Sequence, residues 1–250
     1  MEEWNHICSQ VVDRMNEYVR PFVVPLSHET NSNVRLIGTG TFVRGANGTT
    51  IATCEHVARE APLNFCPHGG EDVYRYTGEW EVRPEPIDAA WTTGSLATLV
   101  PTAKAVQLHQ IATQHSLMPS EELLFFYGYS GENSTFVFEN HITNGSGYLT
   151  QQNRDAKPDP GVVELLWPNG EEAWSEGTTE EARRNMRFSN PAGFSGSLVW
   201  NTRFLETGAD LNRWTPDQAV VTALLKRFAD KDNILLATPI EAVRSVGRFV

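Results

Sequence analysis

The sequence predicts an all-β protein framed by a helix at each end. Short extended runs broken by Gly, Asn and Pro recur from residue 22 onward, and the clearest helical periodicity is confined to the two termini. No apolar run is long enough to cross a bilayer. Many short strands with few helices are the pattern of sandwiches and barrels. A chain of 250 residues is long enough to build them as one domain or as two tightly joined halves.

From Glu3 to Arg20 the apolar residues Trp4, Ile7, Val11, Val12, Met15, Tyr18 and Val19 recur at three- and four-residue steps, and Pro21 ends the pattern. This predicts an amphipathic helix within residues 1–21. Its stripe suits either the body of the same chain or a partner's helix, and the first is the simpler expectation.

Strands are expected at Phe22–Leu26, Thr41–Arg44, Thr50–Thr53, Leu123–Tyr127, Thr135–Glu139, Gly161–Trp167, Gly196–Trp200, Ala219–Leu225 and Ile234–Ala237. Ala46-Asn47-Gly48 between two of them is a hairpin signal, because Asn and Gly tolerate positive φ. Pro62–Arg83 and Gln151–Gly161 read as loops, rich in Gly, Pro and charge. Thr178 and Thr179 before Glu180-Glu181 mark the start of a short surface helix. Ile240, Val243 and Val246 behind the candidate cap Thr238 predict a C-terminal helix over Pro239–Val250.

The formal charge of −11 argues against nucleic acid as a partner, since phosphates demand a basic surface. No positive segment followed by an apolar one opens the chain, and three cysteines are too few for a disulfide framework. A reduced, cytoplasmic setting without membrane attachment is the expectation.

Acyl transfer to a serine needs an exposed hydroxyl, a base, an orienter for the base, and N–H donors for the developing oxyanion. The segment Gly193-Phe194-Ser195-Gly196-Ser197 offers a glycine-flanked serine leading into an apolar strand. Upstream stand Thr53-Cys54-Glu55-His56-Val57, preceded by Gly38-Thr39-Gly40-Thr41-Phe42-Val43, and between histidine and serine lies Ile87-Asp88-Ala89-Ala90-Trp91. In this order these segments resemble those of trypsin-like serine peptidases of the bacterial intracellular type, and His-Asp-Ser differs from the order in subtilisins and α/β-hydrolases.

The resemblance implies two antiparallel six-stranded β-barrels, chymotrypsin-like, one over residues 22–115 carrying His56 and Asp88 and one over residues 116–250 carrying Ser195. By it Ser195 is the nucleophile, His56 the general base and Asp88 its orienter, with Asp72 or Glu85 as fallback carboxylates. Gly193 and Ser195 supply the oxyanion hole, and the pocket for the side chain before the scissile bond draws on Ser189, Asn190, Ala192, Leu225 and Lys226. Such an enzyme needs no cofactor and takes a protein or peptide substrate. Absence of a leader suggests a regulated enzyme of narrow specificity, answering to a sensor protein in a bacterial defence system. Phe194 departs from the aspartate of secreted relatives, so activation through an ion pair with a new N-terminus is not expected.

Two rival readings stand beside this one. The same fold with an idle site would bind peptides without cutting them. Cys54, His56, Cys66 and His68 repeat a Cys-x-His spacing that could hold zinc, although structural zinc sites ordinarily use wider gaps.

Overall fold

The computed structural model describes residues 2–30, 33–45, 48–70, 72–96, 104–137, 140–156, 159–167, 174–187 and 190–244. Helix α1 (Glu2–Val19) opens the chain, and its stripe packs on the chain's own body through the buried Val11, Met15 and Val19, while Trp4 at its start stays exposed. The helix end is pinned by aromatic packing: Tyr18 meets Phe22 edge-on at 5.7 Å between ring centroids, and Phe22 stacks on Trp200 at 6.1 Å.

Seven strands form the first sheet: β1 (Val23–Thr30), β2 (Asn33–Gly45), β3 (Gly48–Thr53), β4 (Leu63–Phe65), β5 (Tyr74–Tyr76), β6 (Trp80–Arg83) and β7 (Ala89–Thr92), in the order β5-β4-β1-β2-β3-β7-β6. Six form the second: β8 (Leu124–Val137), β9 (Asn140–Thr150), β10 (Val163–Leu166), β11 (Leu198–Asn201), β12 (Val220–Ala229) and β13 (Ile234–Pro239), in the order β10-β13-β12-β11-β8-β9. All their pairings are antiparallel. Short helices α2 (Glu55–Ala58), α3 (Glu180–Asn185) and α4 (Ile240–Arg244) complete the elements used below. The segment between the sheets touches both, since Val106 pairs with Val43 of β2 and Ile111 with Val221 of β12.

The first sheet therefore has seven strands where six are expected, and the stretch Pro62–Arg83 holds three of them. Those strands are three or four residues long, and their pairing to β1 and β7 comes from tertiary contact rather than from local pattern. The expected strands Leu123–Tyr127 and Thr135–Glu139 belong to one long strand, β8, with an irregularity between Tyr129 and Ser134; Glu139 lies outside the described residues. Its partner β9, opening Asn140-His141-Ile142-Thr143-Asn144-Gly145, lacks the alternation that signals a strand. The expected hairpin is anchored by Gly45 opposite Gly48, at φ +116°, while Ala46 and Asn47 lie outside the described residues. Helix α4 is described only to Arg244.

The main core runs from α1 through both sheets, taking in Met15, Leu26, Phe42, Phe65, Trp200 and Trp214. A second apolar cluster lies within the second sheet, where Phe194 is buried with Phe126, Trp167, Val199 and Leu225. No described helix is long and apolar enough to cross a membrane.

Candidate active site

Strand β3 ends at Thr53, Cys54 sits at the N-cap in extended conformation, and α2 turns at once so that His56 stands half exposed on its first turn. Asp88 approaches from the loop before β7, buried and at φ +52°, a left-handed conformation that Asp tolerates better than most residues. Its two oxygens divide the histidine between them. Oδ2 lies 2.7 Å from His56 Nδ1, and Oδ1 accepts the His56 backbone N–H at 3.1 Å. Burial pushes the Asp88 carboxyl up, but the bonds from the His56 ring and backbone, with the charges of His56 and Lys226, outweigh it and hold the carboxyl below its usual value.

Ser195 reaches the site from the turn before β11. Gly193 and Gly196 there have φ of +109° and +94°, conformations that L side chains strain to adopt. The turn is fastened to the first sheet: Thr39 N–H donates to the Ser195 carbonyl at 2.8 Å, and Thr39 Oγ1 donates to the Gly193 carbonyl at 2.8 Å. Gly38 leaves room for this approach, since a Cβ there would lie 2.6 Å from a Val57 methyl and 3.0 Å from the Ser195 carbonyl oxygen. Gly38 thus has the Val57 side chain and the Ser195 backbone as close neighbours. The Ser195 hydroxyl donates to the Lys226 carbonyl at 2.8 Å. No hydrogen bond joins Ser195 to His56 in this state.

The Ala192 carbonyl is drawn off by the N–H of Gly131 at 2.9 Å. Among the described residues no acceptor takes the N–H of Gly193 or Ser195. Phe194 points into an aromatic cage, edge-on to Phe126 at 5.6 Å and to Tyr148 at 5.2 Å, with Trp167 at 6.1 Å. The turn is therefore anchored by apolar burial rather than by an ion pair.

Solved structures with related architecture include a thermostable serine protease, AL20, from an extremophilic microorganism. It is 13% identical, with 91% of this chain and 95% of that chain covered and a TM-score of 0.50. The serine endoprotease from Yersinia pestis is 12% identical at a TM-score of 0.50, covering 94% of this chain and 64% of that one. A structure concerned with coupled folding and binding of the disordered Sesbania mosaic virus VPg protein is 12% identical, covering 89% and 87%, at a TM-score of 0.51. The chain has the chymotrypsin fold. No protein-family model and no curated protein matches the sequence.

Within the chymotrypsin fold the sequence-predicted residues separate into three groups. His56 and Asp88 are bonded to each other, and Ser195 and Gly193 share one turn that Thr39 fastens to the first sheet. Of the fallback carboxylates, Asp72 is exposed, and Glu85 is half exposed and pairs with Lys226 and Arg227. Of the pocket residues, Ser189 lies outside the described residues, and Asn190 and Ala192 are exposed on a loop bonded to residues 130–132. Leu225 is buried, its carbonyl accepting the Gly196 N–H and the Cys54 thiol. Lys226 is also buried, its ammonium occupied by Glu85 and the Pro86 carbonyl rather than free to face a substrate charge.

Cys54 Sγ, a ring nitrogen of His56 and a carboxylate oxygen of Asp88 lie within 4.8 Å of one another, and Cys66 and His68 are not part of that group. The Cys66 thiol faces the Pro67 and Gly70 carbonyls instead. Cys54 is a buried thiol that burial pushes far above its usual value, and His56 Nδ1 already belongs to Asp88. These conditions disfavour a thiolate ligand. Two contributors were not anticipated from sequence: Thr39, which fastens the serine turn, and Lys226 as a buried link. A threonine in a Gly-rich strand and a lysine in an apolar one were the available signals.

Proposed function

We propose that this chain is a serine endopeptidase acting through Ser195, His56 and Asp88. The observation that carries the reading is the divided grip of Asp88 on His56, which fixes the ring with Nδ1 toward the carboxylate and leaves Nε2 for the nucleophile. On substrate entry the Ser195 hydroxyl leaves the Lys226 carbonyl, gives its proton to His56 Nε2 and bonds to the scissile carbonyl carbon. The N–H groups of Gly193 and Ser195 receive the oxyanion. Collapse breaks the C–N bond as His56 returns the proton to the leaving amine, and an ester to Ser195 remains. Water, deprotonated by His56, then hydrolyses that ester. Residues 22–115 and 116–250 act as two halves with the site between them, and a narrow, partner-controlled specificity in a defence system belongs to the same proposal.

One observation favours a second reading, a peptide-binding module. The resting Ser195 hydroxyl is bonded to a backbone carbonyl, not to His56. Labelling with a fluorophosphonate separates the two. The peptidase reading expects covalent labelling of the wild-type protein, loss of it in Ser195→Ala and in His56→Ala, and no effect of a chelator. Folded wild-type protein that binds peptide but takes no label would support the module instead.

A further inference from the structure

Lys226 follows Leu225 on β12, where the register against β13 slips between Leu225 and Arg227. Only 1% of it is exposed. An ammonium taken out of water is costly unless its hydrogen bonds are replaced, so its partners indicate what it is for. Nζ donates to the Pro86 carbonyl at 2.8 Å and lies 3.3 Å from Glu85 Oε2. Both partners stand just before Asp88, 140 and 141 residues away in sequence. The carbonyl of the same lysine accepts the Ser195 hydroxyl at 2.8 Å. One residue therefore holds the approach to the carboxylate with its side chain and the nucleophile with its backbone.

The loop it holds requires holding. Asp88 sits at positive φ, and a second anchor, Thr238 Oγ1 donating to the Ile87 carbonyl at 2.6 Å, also comes from the second sheet. Glu85 extends the grip by lying 3.4 Å from Arg227 Nη1. The Lys226 charge further favours an ionised Asp88.

We propose, on the serine-peptidase reading above, that Lys226 is a positioning residue: its ammonium seats the loop carrying Asp88 against the strand that holds Ser195. Lys226 touches no reacting atom with its side chain. It acts through Asp88, by keeping the carboxylate at its distance from His56.

The test uses the full chain and a fluorophosphonate, with reversible binding separated from the rate of covalent inactivation. Lys226→Met keeps the stem and removes the charge. The expected result is a fall in inactivation rate on the order of 10- to 100-fold, as for other groups that orient an acting residue, with reversible binding within about 2-fold of wild type. Lys226→Arg restores a donor and recovers part of the rate. Proton NMR provides an arm that needs no turnover: the resonance of the His56 ring proton bonded to Asp88 is sharp in Ser195→Ala protein and broadens or vanishes when Lys226→Met is added.

Unchanged inactivation rate and unchanged resonance in Lys226→Met would overturn the assignment, as would a loss confined to reversible binding. Should Lys226→Met fail to fold, Glu85→Ala on the half-exposed side of the link is read in the same two assays. A several-fold slower rate with a broadened resonance supports the link, and wild-type values in both sink it. Absence of labelling in folded wild-type protein would defeat the peptidase reading, and the NMR arm alone would then decide whether Lys226 seats the loop.

Discussion

Asp88 holds His56 twice, with Oδ2 at 2.7 Å from the ring Nδ1 and Oδ1 at 3.1 Å from the backbone nitrogen. The two bonds fix the ring's rotation and its tautomer together. Asp88→Asn replaces one acceptor oxygen with an amide that donates, so the ring must present the wrong nitrogen to Ser195. Fluorophosphonate labelling should slow on the order of ten-thousand-fold, with the circular dichroism spectrum unchanged.

The same carboxyl gives a pH dependence of stability. Its value in the folded chain lies below the ordinary one, about 3.9 for an unfolded aspartate, so the unfolded state binds the proton first as pH falls. The stabilising contribution is complete above the unfolded value and disappears as pH drops through the folded one. Urea unfolding of wild type and Asp88→Asn at several pH values should show the wild-type protein losing its advantage only below about pH 4.

Phe194 replaces an ion pair with an aromatic cage. Phe194→Ala should destabilise the fold by about 3–5 kcal/mol in urea unfolding, the usual cost of emptying a buried aromatic site. Phe194→Asp should be worse, because none of the neighbours Phe126, Tyr148 and Trp167 is a cation. A Phe194→Asp protein as stable as Phe194→Ala would contradict this account of the turn.

Gly196 and Gly208 permit a paired comparison, with φ of +94° and +91°. A Cβ on Gly196 would fall on the Thr39 carbonyl oxygen and the Thr53 hydroxyl, whereas one on Gly208 meets nothing within 4 Å. Gly208→Ala should cost only backbone strain, about 1–2 kcal/mol, while Gly196→Ala costs clearly more and abolishes labelling.

Cys54 tests the sulfur beside the site. Its thiol is fully buried, donates to the Leu225 carbonyl at 3.2 Å and is pushed far above the value of a reactive cysteine. Iodoacetamide at neutral pH should therefore modify Cys8 or Cys66 before Cys54, and Cys54→Ala should retain most of the wild-type labelling rate. Mass mapping of the alkylated peptides reads the first outcome directly.

The sequence discloses the strands that are long and apolar, such as those around Phe42, Val199 and Leu224, because burial on a pleated surface leaves a local pattern. It conceals β4, β5 and β6, whose few residues carry too little periodicity, and β9, whose Asn, Gly and Ser residues read as turn. At the site, the chemistry-bearing residue types and their chain order stand out. What holds them does not: the bonds from Thr39 to the serine turn span more than 150 residues, and the Lys226 bond to Pro86 joins the two sheets. Such contacts depend on how the sheets meet, which no short window of sequence encodes.

Thr39 has a consequence for dissection of the chain. Its two bonds make the shape of the Ser195 turn a property of the seam between the sheets rather than of the segment that contains the serine. A fragment beginning at residue 116 would keep the serine, its glycines and its aromatic anchor, yet would lack the strand against which that turn is moulded. If Ser195 acts as proposed, the chain does not divide into a half that carries reactivity and a half that modulates it. On that reading, reactivity arises where the two sheets meet, and whatever loosens that seam silences the serine without touching it.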